Sequence, residues 1–360
     1  MPKKKTAVWL SLLLAFGLVA AACGSDSDGS SDTTAADSSG AEGDYAGLSG
    51  SLTGSGASFP DAFYQEAIVA FGEVSDLEVT YNAVGSGTGK EEFGGGLTDF
   101  AGSDSLVKDG DGPEAGSFLY VPTVAAPITV SYNLGGVEEL QLSPDTLAGI
   151  FQGDITTWDD AAIAEDNPDA ELPSEDIIIV HRADGSGTTN NFTKYLDKAS
   201  DVWTLGSGDE VEWPTSSQAG EKNTGVAQLI KDNEGAIGYV DLSDAEASGL
   251  TFAAIQNKDG EFVLPSLEAT SAGLEGATVN DDLSYDPLDA AGADAYPITA
   301  PTYILVRTSY EDQATRDNVV GFVTYLLTEG QDLAADVSFA KLPDSLRTKA
   351  LAQLENVKVG

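Results

Sequence analysis

The chain is short of the residues that carry most enzyme chemistry. Among its 360 residues stand a single cysteine, Cys23, and a single histidine, His181. The body holds no cysteine, so disulfides contribute nothing to its stability. No grouping of His, Asp and Cys has metal-ligand spacing, which removes the usual apparatus for metal-assisted hydrolysis. Positive charge is also scarce: 17 Lys and Arg stand against 59 Asp and Glu. Three of those lysines, Lys3, Lys4 and Lys5, lie in a leader, which leaves 14 against 59 and a net charge of −45. Nucleic acid is thereby excluded as a partner, because binding it requires basic surface that displaces counterions. A solvated acidic surface suits a saline habitat or a need for solubility.

Long apolar runs are scarce as well. Behind the first lysines, Ala7 to Ala22 is a run of 16 residues without charge. That is short of the ~20 a spanning helix needs. Behind three lysines and ahead of small residues it reads as a signal peptide, residues 1–22. Ala20-Ala21-Ala22-Cys23-Gly24 resembles a bacterial lipobox, so Cys23 is expected to be lipidated and to anchor the protein at the outer face of the cell membrane. Residues 23–48, rich in Ser, Gly and Asp, read as a flexible acidic linker with almost nothing to bury. Apolar periodicity begins at residue 49, and a body of this size suggests two lobes.

Within the body, strands alternate with helices, the mark of an α/β architecture. Segment 54–74 reads as a glycine turn and a helix from about Pro60, with Phe63, Ala67, Ile68 and Phe71 on one face. Residues 77–84 alternate as a strand. LYVPTVAAPITVSYNL (119–134) reads as a strand, a crossing segment and a second strand. A helix at 143–151 carries Ser143 as its cap and Pro144 in its first position. Residues 176–199 form a buried strand, a glycine turn and a helix. A helix ending near Gly235, a strand at 297–308 and late helices in 317–337 complete the pattern.

GSGT occurs twice, at 85–88 and 185–188. The first, followed by Gly89 and Lys90, invites comparison with a nucleotide P-loop. The motif fails twice: its leading glycine would be Val84, and Glu91 replaces the hydroxyl residue that follows the lysine. What remains is a set of strand-to-helix turns carrying Ser58, Ser86 and Ser186 with Thr188. Each offers a hydroxyl and unpaired N–H groups at a positive helix end, although each hydroxyl also has the simpler task of capping its own helix. Arg182 ends the buried strand IIIV, where its guanidinium suits two oxygens at once with Asp184 orienting it. Asp104 is an odd neighbour for an anion unless the anion carries a proton. Phosphate at neutral pH keeps a P–OH and sulfate keeps none, so a carboxylate acceptor would separate the two, by roughly 10⁴–10⁵ in sites built on such a pairing. His181 precedes Arg182 on a buried strand and reads as structural. Lys90 is expected to do least.

GSGASFP, AVGSGTG, DFAGSD, DITTWDDAAIAEDNP, HRADGSGT, EGAIGYVDL, PITAPTYILV and KLPDSL resemble, in order, segments of the phosphate-binding proteins of high-affinity phosphate ABC transporters, across about residues 49 to 360. The resemblance implies a two-lobed class II periplasmic-binding fold, with lobe I at 49–124 and 298–360 and lobe II at 125–297. Hinge crossings would lie near Val124–Ala126 and Ala295–Ile298. Ligand contacts fall on Ser58, Phe59 (through its N–H), Ser86, Asp104, Arg182, Ser186, Gly187 and Thr188, with Asp184 orienting the arginine. It further implies a monomeric, non-enzymatic receptor for inorganic phosphate, without metal or cofactor, that serves a membrane permease. Two alternatives stand beside it: a receptor for another tetrahedral oxyanion, and a secreted phosphatase-like hydrolase. A third, a surface adhesin, leaves the glycine turns and Arg182 unexplained.

Overall fold

The computed structural model describes Gly43 and Tyr45–Gly360; the expected signal peptide and Cys23 lie outside the described residues. The body starts earlier than the linker reading placed it. Tyr45 is buried, its ring packs edge-on against Phe71 and Tyr325, and its hydroxyl donates to Glu329 at 2.7 Å. One aromatic ring in a Ser/Gly-rich stretch suffices to dock that stretch, which composition averaged over 26 residues conceals.

In the first lobe, β1 (Ser49–Gly56), α1 (Asp61–Phe71), β2 (Asp76–Ala83), α2 (Ser86–Gly94) and β3 (Phe100–Ser103) follow one another. β1 lies between β2 and β3, parallel to both. α1 buries Phe63, Tyr64, Ala67 and Phe71, whereas Ile68 is only half-buried. β4 (Phe118–Asn133) then runs 16 residues without a break. The sequence suggests two strands with a crossing between them; the chain instead forms one strand that changes partners. Phe118 to Pro127 pair with the later strand Thr299–Arg307, and Ile128 to Asn133 pair with the strand Ala236–Asp241. Burial on both faces accounts for its unbroken apolar character.

The second lobe contains β5 (Gln141–Leu142), α3 (Pro144–Phe151), α4 (Ala161–Asp166), β6 (Ile178–Arg182), α5 (Gly187–Ala199), β7 (Gln218–Gly220) and α6 (Lys222–Asp232). It continues with β8 (Ala236–Asp241), α7 (Leu242–Ser248), β9 (Thr251–Phe252), β10 (Ala254–Gln256), β11 (Phe262–Val263) and α8 (Leu267–Glu275). Ser143 caps α3 from the Thr146 N–H with Pro144 at its first position, and α6 stops at Asp232, short of Gly235. The chain returns through β12 (Thr299–Arg307) to the first lobe, where α9 (Gln313–Leu327), a 3₁₀ segment at Glu329–Val337 and α10 (Asp344–Leu354) cover the sheet.

One sheet runs through both lobes in the order β2-β1-β3-β12-β4-β8-β6-β7, with β9 on β4. β4 and β12 pair at its centre, and β4 exchanges β12 for β8 after Pro127. At that point the Ile128 N–H donates to Ile298 O at 2.9 Å, and Tyr296 Oη donates to Ile128 O at 2.9 Å. The carboxyl ends of β1, β2 and β3 lie in one lobe and those of β6, β7 and β8 in the other. Ligands of open α/β sheets gather at such ends.

Candidate functional site

Each strand end delivers one polar group. β1 ends at Gly56, whose φ of 144° and contact with Gly102 (an added Cβ would lie 2.0 Å from its carbonyl) leave room only for glycine. That turn carries Ser58 and Phe59; β2 delivers Ser86, β3 Asp104, β6 Arg182 and the turn before α5. All of these side chains are buried, with Ser186 and Thr188 fully so.

The two GSGT turns touch. Gly87 N–H donates to Gly185 O at 3.0 Å, and a Cβ on Gly187 would come within 2.6 Å of Ser86 Oγ and 2.7 Å of Asp104 Cβ. Arg182 is held on three sides. Its Nε donates to Asp184 Oδ1 at 2.8 Å and its Nη2 to Asp184 Oδ2, while Nη1 donates to Asn223 Oδ1 at 2.8 Å and to Thr188 Oγ1 at 3.5 Å. Burial pushes the Asp184 carboxyl up, but the Arg182 hydrogen bonds, the Arg182 charge and the Lys222 N–H outweigh it and hold the group below its ordinary value.

The hydroxyls show a common pattern. Ser58 Oγ accepts from the Asn223 N–H at 3.3 Å, Ser86 Oγ from the Asp104 N–H at 3.3 Å, and Ser186 Oγ from the Thr189 N–H at 3.1 Å. Thr188 Oγ1 accepts from Arg182. Each hydroxyl thus accepts one bond from a protein donor and keeps an O–H that can rotate to donate; that of Ser86 lies within reach of the Asp104 carboxyl. Only Ser186 caps its own helix; α1 and α2 carry Pro60 and Gly85 at their caps, with no side-chain bond. The amides of Phe59, Gly187 and Thr188 have no protein acceptor among the described residues. Buried donors so arranged suit an anion.

Asp104 is the exception in polarity. Burial raises its pKa to about 7, against the lowering effects of the Thr302 hydroxyl, which donates to Oδ1 at 2.7 Å, and of the Arg182 charge. The group therefore exchanges a proton near neutrality, as either acceptor or donor. Its backbone carbonyl accepts from Asn191 Nδ2 at 2.6 Å. A cleft of about 240 Å³ lined by Ser58, Phe59, Lys222 and Asp241 flanks these residues on one side; another of about 170 Å³, lined by Asp104, Asn191 and Lys194, flanks them on the other.

Some participants escape the sequence reading. Asn223 links Arg182 to Asp241, donating from Nδ2 to Asp241 Oδ2 at 2.7 Å, and Asp241, buried and beside Asp244, is pushed well above its ordinary value. Lys222, at φ 60°, bends the backbone so that its own N–H reaches Asp184 while that of Asn223 reaches Ser58. A charged residue closing the apolar strand of EGAIGYVDL is a readable signal for Asp241, the same one that marks Arg182. Thr302, inside β12, carries no such signal. Lys90 is the correction: far from idle, it is fully buried and paired with Asp111 at 3.0 Å and Asp209 at 2.9 Å. Counting residues against the P-loop dismisses a nucleotide but says nothing about a lysine's other partners. His181 stacks on Trp213 with ring centroids 5.1 Å apart, its Nδ1 lies 2.8 Å from Arg182 O, and burial lowers its pKa.

Comparison with known proteins agrees with this architecture. A family model described as the PBP superfamily domain matches residues 30–329. The phosphate-binding protein PstS of Xylella fastidiosa is 34% identical over 301 residues, covering 82% of each chain. That of Haemophilus influenzae is 33% identical over 299 residues, covering 81% of this chain and 89% of its own. That of Methanocaldococcus jannaschii is 36% identical over 310 residues, covering 77% and 78%. Among solved structures, a high affinity periplasmic phosphate-binding protein (PfluDING) bound with phosphate superposes with a TM-score of 0.70 at 22% identity, covering 84% of this chain and 93% of that one. The phosphate binding protein from Stenotrophomonas maltophilia gives 0.64 at 24%, covering 84% and 94%. These neighbours have the same two-lobed fold. On family model, relatives and fold together, the chain belongs to the PBP superfamily and, within it, to the family of the phosphate-binding protein PstS.

Proposed function

We propose that the protein is an extracytoplasmic receptor that takes inorganic phosphate between its lobes and delivers it to the membrane subunits of an ABC transporter. The observation that carries this reading is the convergence of donors: Ser58, Ser86, Ser186 and Thr188 each accept from a protein donor and keep an O–H able to donate to an acceptor-rich ligand. Around it stand the amides without acceptors, the Arg182 guanidinium and the single carboxyl of Asp104. Donors throughout and one exchangeable proton match a tetrahedral oxyanion that keeps a P–OH. PstS relatives at about a third identity support the same ligand and the transporter partner.

The ligand set proposed is Ser58, Phe59 (backbone), Ser86, Asp104, Arg182, Ser186, Gly187 and Thr188, with Asp184 and Asn223 holding the arginine. Lobe I is taken as 49–124 with 298–360 and lobe II as 125–297, supported by the exchange of partners along β4 after Pro127. No helix among the described residues is long and apolar enough to cross a membrane. The proposed attachment is a lipid on Cys23, supported by the Ala-Ala-Ala-Cys-Gly run behind the basic leader. The receptor is taken to act as a monomer.

Calorimetric titration with phosphate and with sulfate tests the reading. At pH 9, with Asp104 ionised, tight phosphate binding with sulfate weaker by orders of magnitude is expected; equal affinity there, or no phosphate binding, overturns it. Arg182→Ala should weaken phosphate binding at least 100-fold, since each hydrogen bond to a charged group is worth about 1.5–3 kcal/mol.

A further inference from the structure

Lys90 lies on α2, one turn beyond Ser86, and has no accessible surface. Its ammonium donates to Ser105 Oγ at 3.2 Å and Asp111 at 3.0 Å, both in the first lobe, and to Asp209 at 2.9 Å, in the second. Asp209 is in turn anchored to the opposing turn. Its backbone carbonyl accepts from the Ser186 N–H at 3.0 Å, its Oδ1 from Asn190 Nδ2 at 3.0 Å, and its Oδ2 also from Ser105 Oγ at 3.0 Å. A buried ammonium therefore joins the helix that carries one ligand hydroxyl to the carboxylate that braces the other glycine turn. α2 is tight on its other side too, since a Cβ on Gly89 would meet Gly56 Cα at 2.3 Å.

We propose that Lys90 is a closure latch, a positioning residue whose pairing with Asp209 stabilises the closed arrangement of the lobes and so sets how slowly phosphate leaves. The inference rests on the phosphate reading for its ligand but not for its geometry. When the lobes separate, Lys90 keeps Ser105 and Asp111 and loses only Asp209. The interlobe share of the network thus belongs to the closed state alone, and a ligand that binds the closed state gains by it. A buried pair adds little over a well-packed apolar substitute, but removing one partner alone leaves an uncompensated charge and is costly. Truncation at either end should therefore be felt in closure. The pair forms after the ligand has entered, so its loss falls on departure and not on encounter.

The test uses Lys90→Met, a helix-forming residue of similar reach, and Asp209→Asn, whose position is partly exposed and tolerates the change if the lysine site does not. Stopped-flow and calorimetric measurements with inorganic phosphate are made on each, with Asp111→Asn as the same-lobe comparison. Amide hydrogen exchange is followed at Gly87, whose N–H crosses to Gly185 O. The expected result is a rise of about 10- to 100-fold in koff and Kd for Lys90→Met and Asp209→Asn, with kon unchanged. Faster Gly87 exchange should accompany it, with a smaller effect from Asp111→Asn. A lower Tm with wild-type koff and wild-type Gly87 exchange would overturn the latch and leave an ordinary structural ion pair. If the wild-type protein shows no response to phosphate, the phosphate reading falls; Gly87 exchange in the variants, faster or unchanged, then decides the latch on its own.

Discussion

Asp104 is the residue whose titration reaches function. Its pKa is raised from 3.8 to about 7 because burial disfavours the carboxylate. A raised acid contributes stability that is complete below the unfolded value and is lost as pH rises through the folded one. Asp104→Asn removes that loss, so the variant's Tm should gain on the wild type between pH 4 and pH 8. The free-energy difference has an upper figure on the order of 4 kcal/mol, measured by thermal melts at stepped pH. The same proton bears on selectivity. Sulfate offers no proton to a carboxylate but accepts one from a carboxylic acid. Sulfate affinity should therefore be about 100-fold higher at pH 6 than at pH 9, following the protonated fraction, and Asp104→Asn should abolish that slope. Titrations with sulfate across this range check both statements; a flat profile for the wild type would remove Asp104 from the selectivity argument. In the sequence, Asp104 is an aspartate after a short apolar strand, and its role follows from asking what a carboxyl does near an anion. Neither the burial that raises its pKa nor the opposing hydrogen bond from Thr302, 198 residues away, is shown by any local pattern.

At the scale of elements, α5 does more than present its N-terminus. Gly187 opens it, and the missing side chain lets the helix end meet Ser86 and Asp104 of the other lobe. Gly187→Ala should leave the folded lobes intact, since its backbone is not in the left-handed region, yet obstruct their approach. Phosphate Kd is expected to rise about 100-fold while the Tm measured without phosphate moves by less than ~1 kcal/mol equivalent. Calorimetry paired with thermal melts separates this from general destabilisation. The glycines of both GSGT turns are visible in the sequence as helix openings; their use as the surfaces where two lobes meet is not. β4 shows the converse. Its apolar run 119–134 marks buried strand plainly, but a strand that keeps its hydrogen-bonded course while exchanging β12 for β8 leaves no break in the sequence to read.

For the whole molecule, the excess of acidic residues sets the approach of an anion. A net charge of −42 over the full chain repels phosphate at distance, and salt screens that field beyond about 8 Å at physiological strength. The association rate should therefore rise as ionic strength goes from about 10 to 150 mM, the reverse of electrostatic steering, while koff changes little because the buried contacts are poorly screened. Stopped-flow measurements over a salt series check this, and a kon that falls with salt would show a local positive path that dominates the net charge.

The α/β class, the alternation of strands and helices, and the glycine turns with their hydroxyls and Arg182 were legible in the sequence because each rests on local physics: periodicity, turn chemistry and a charged residue closing an apolar strand; Phe59 and Gly187 join the proposed ligand set through the family resemblance. Tertiary structure alone decided which polar groups meet. Lys90 and Asp209 are 119 positions apart, as are no two residues of any turn or helix, and Asn223 joins Ser58 across 165. Such pairings depend on how two lobes close. They depend on the path of β4 and β12 through a shared sheet, and neither hydrophobic pattern nor local propensity encodes it.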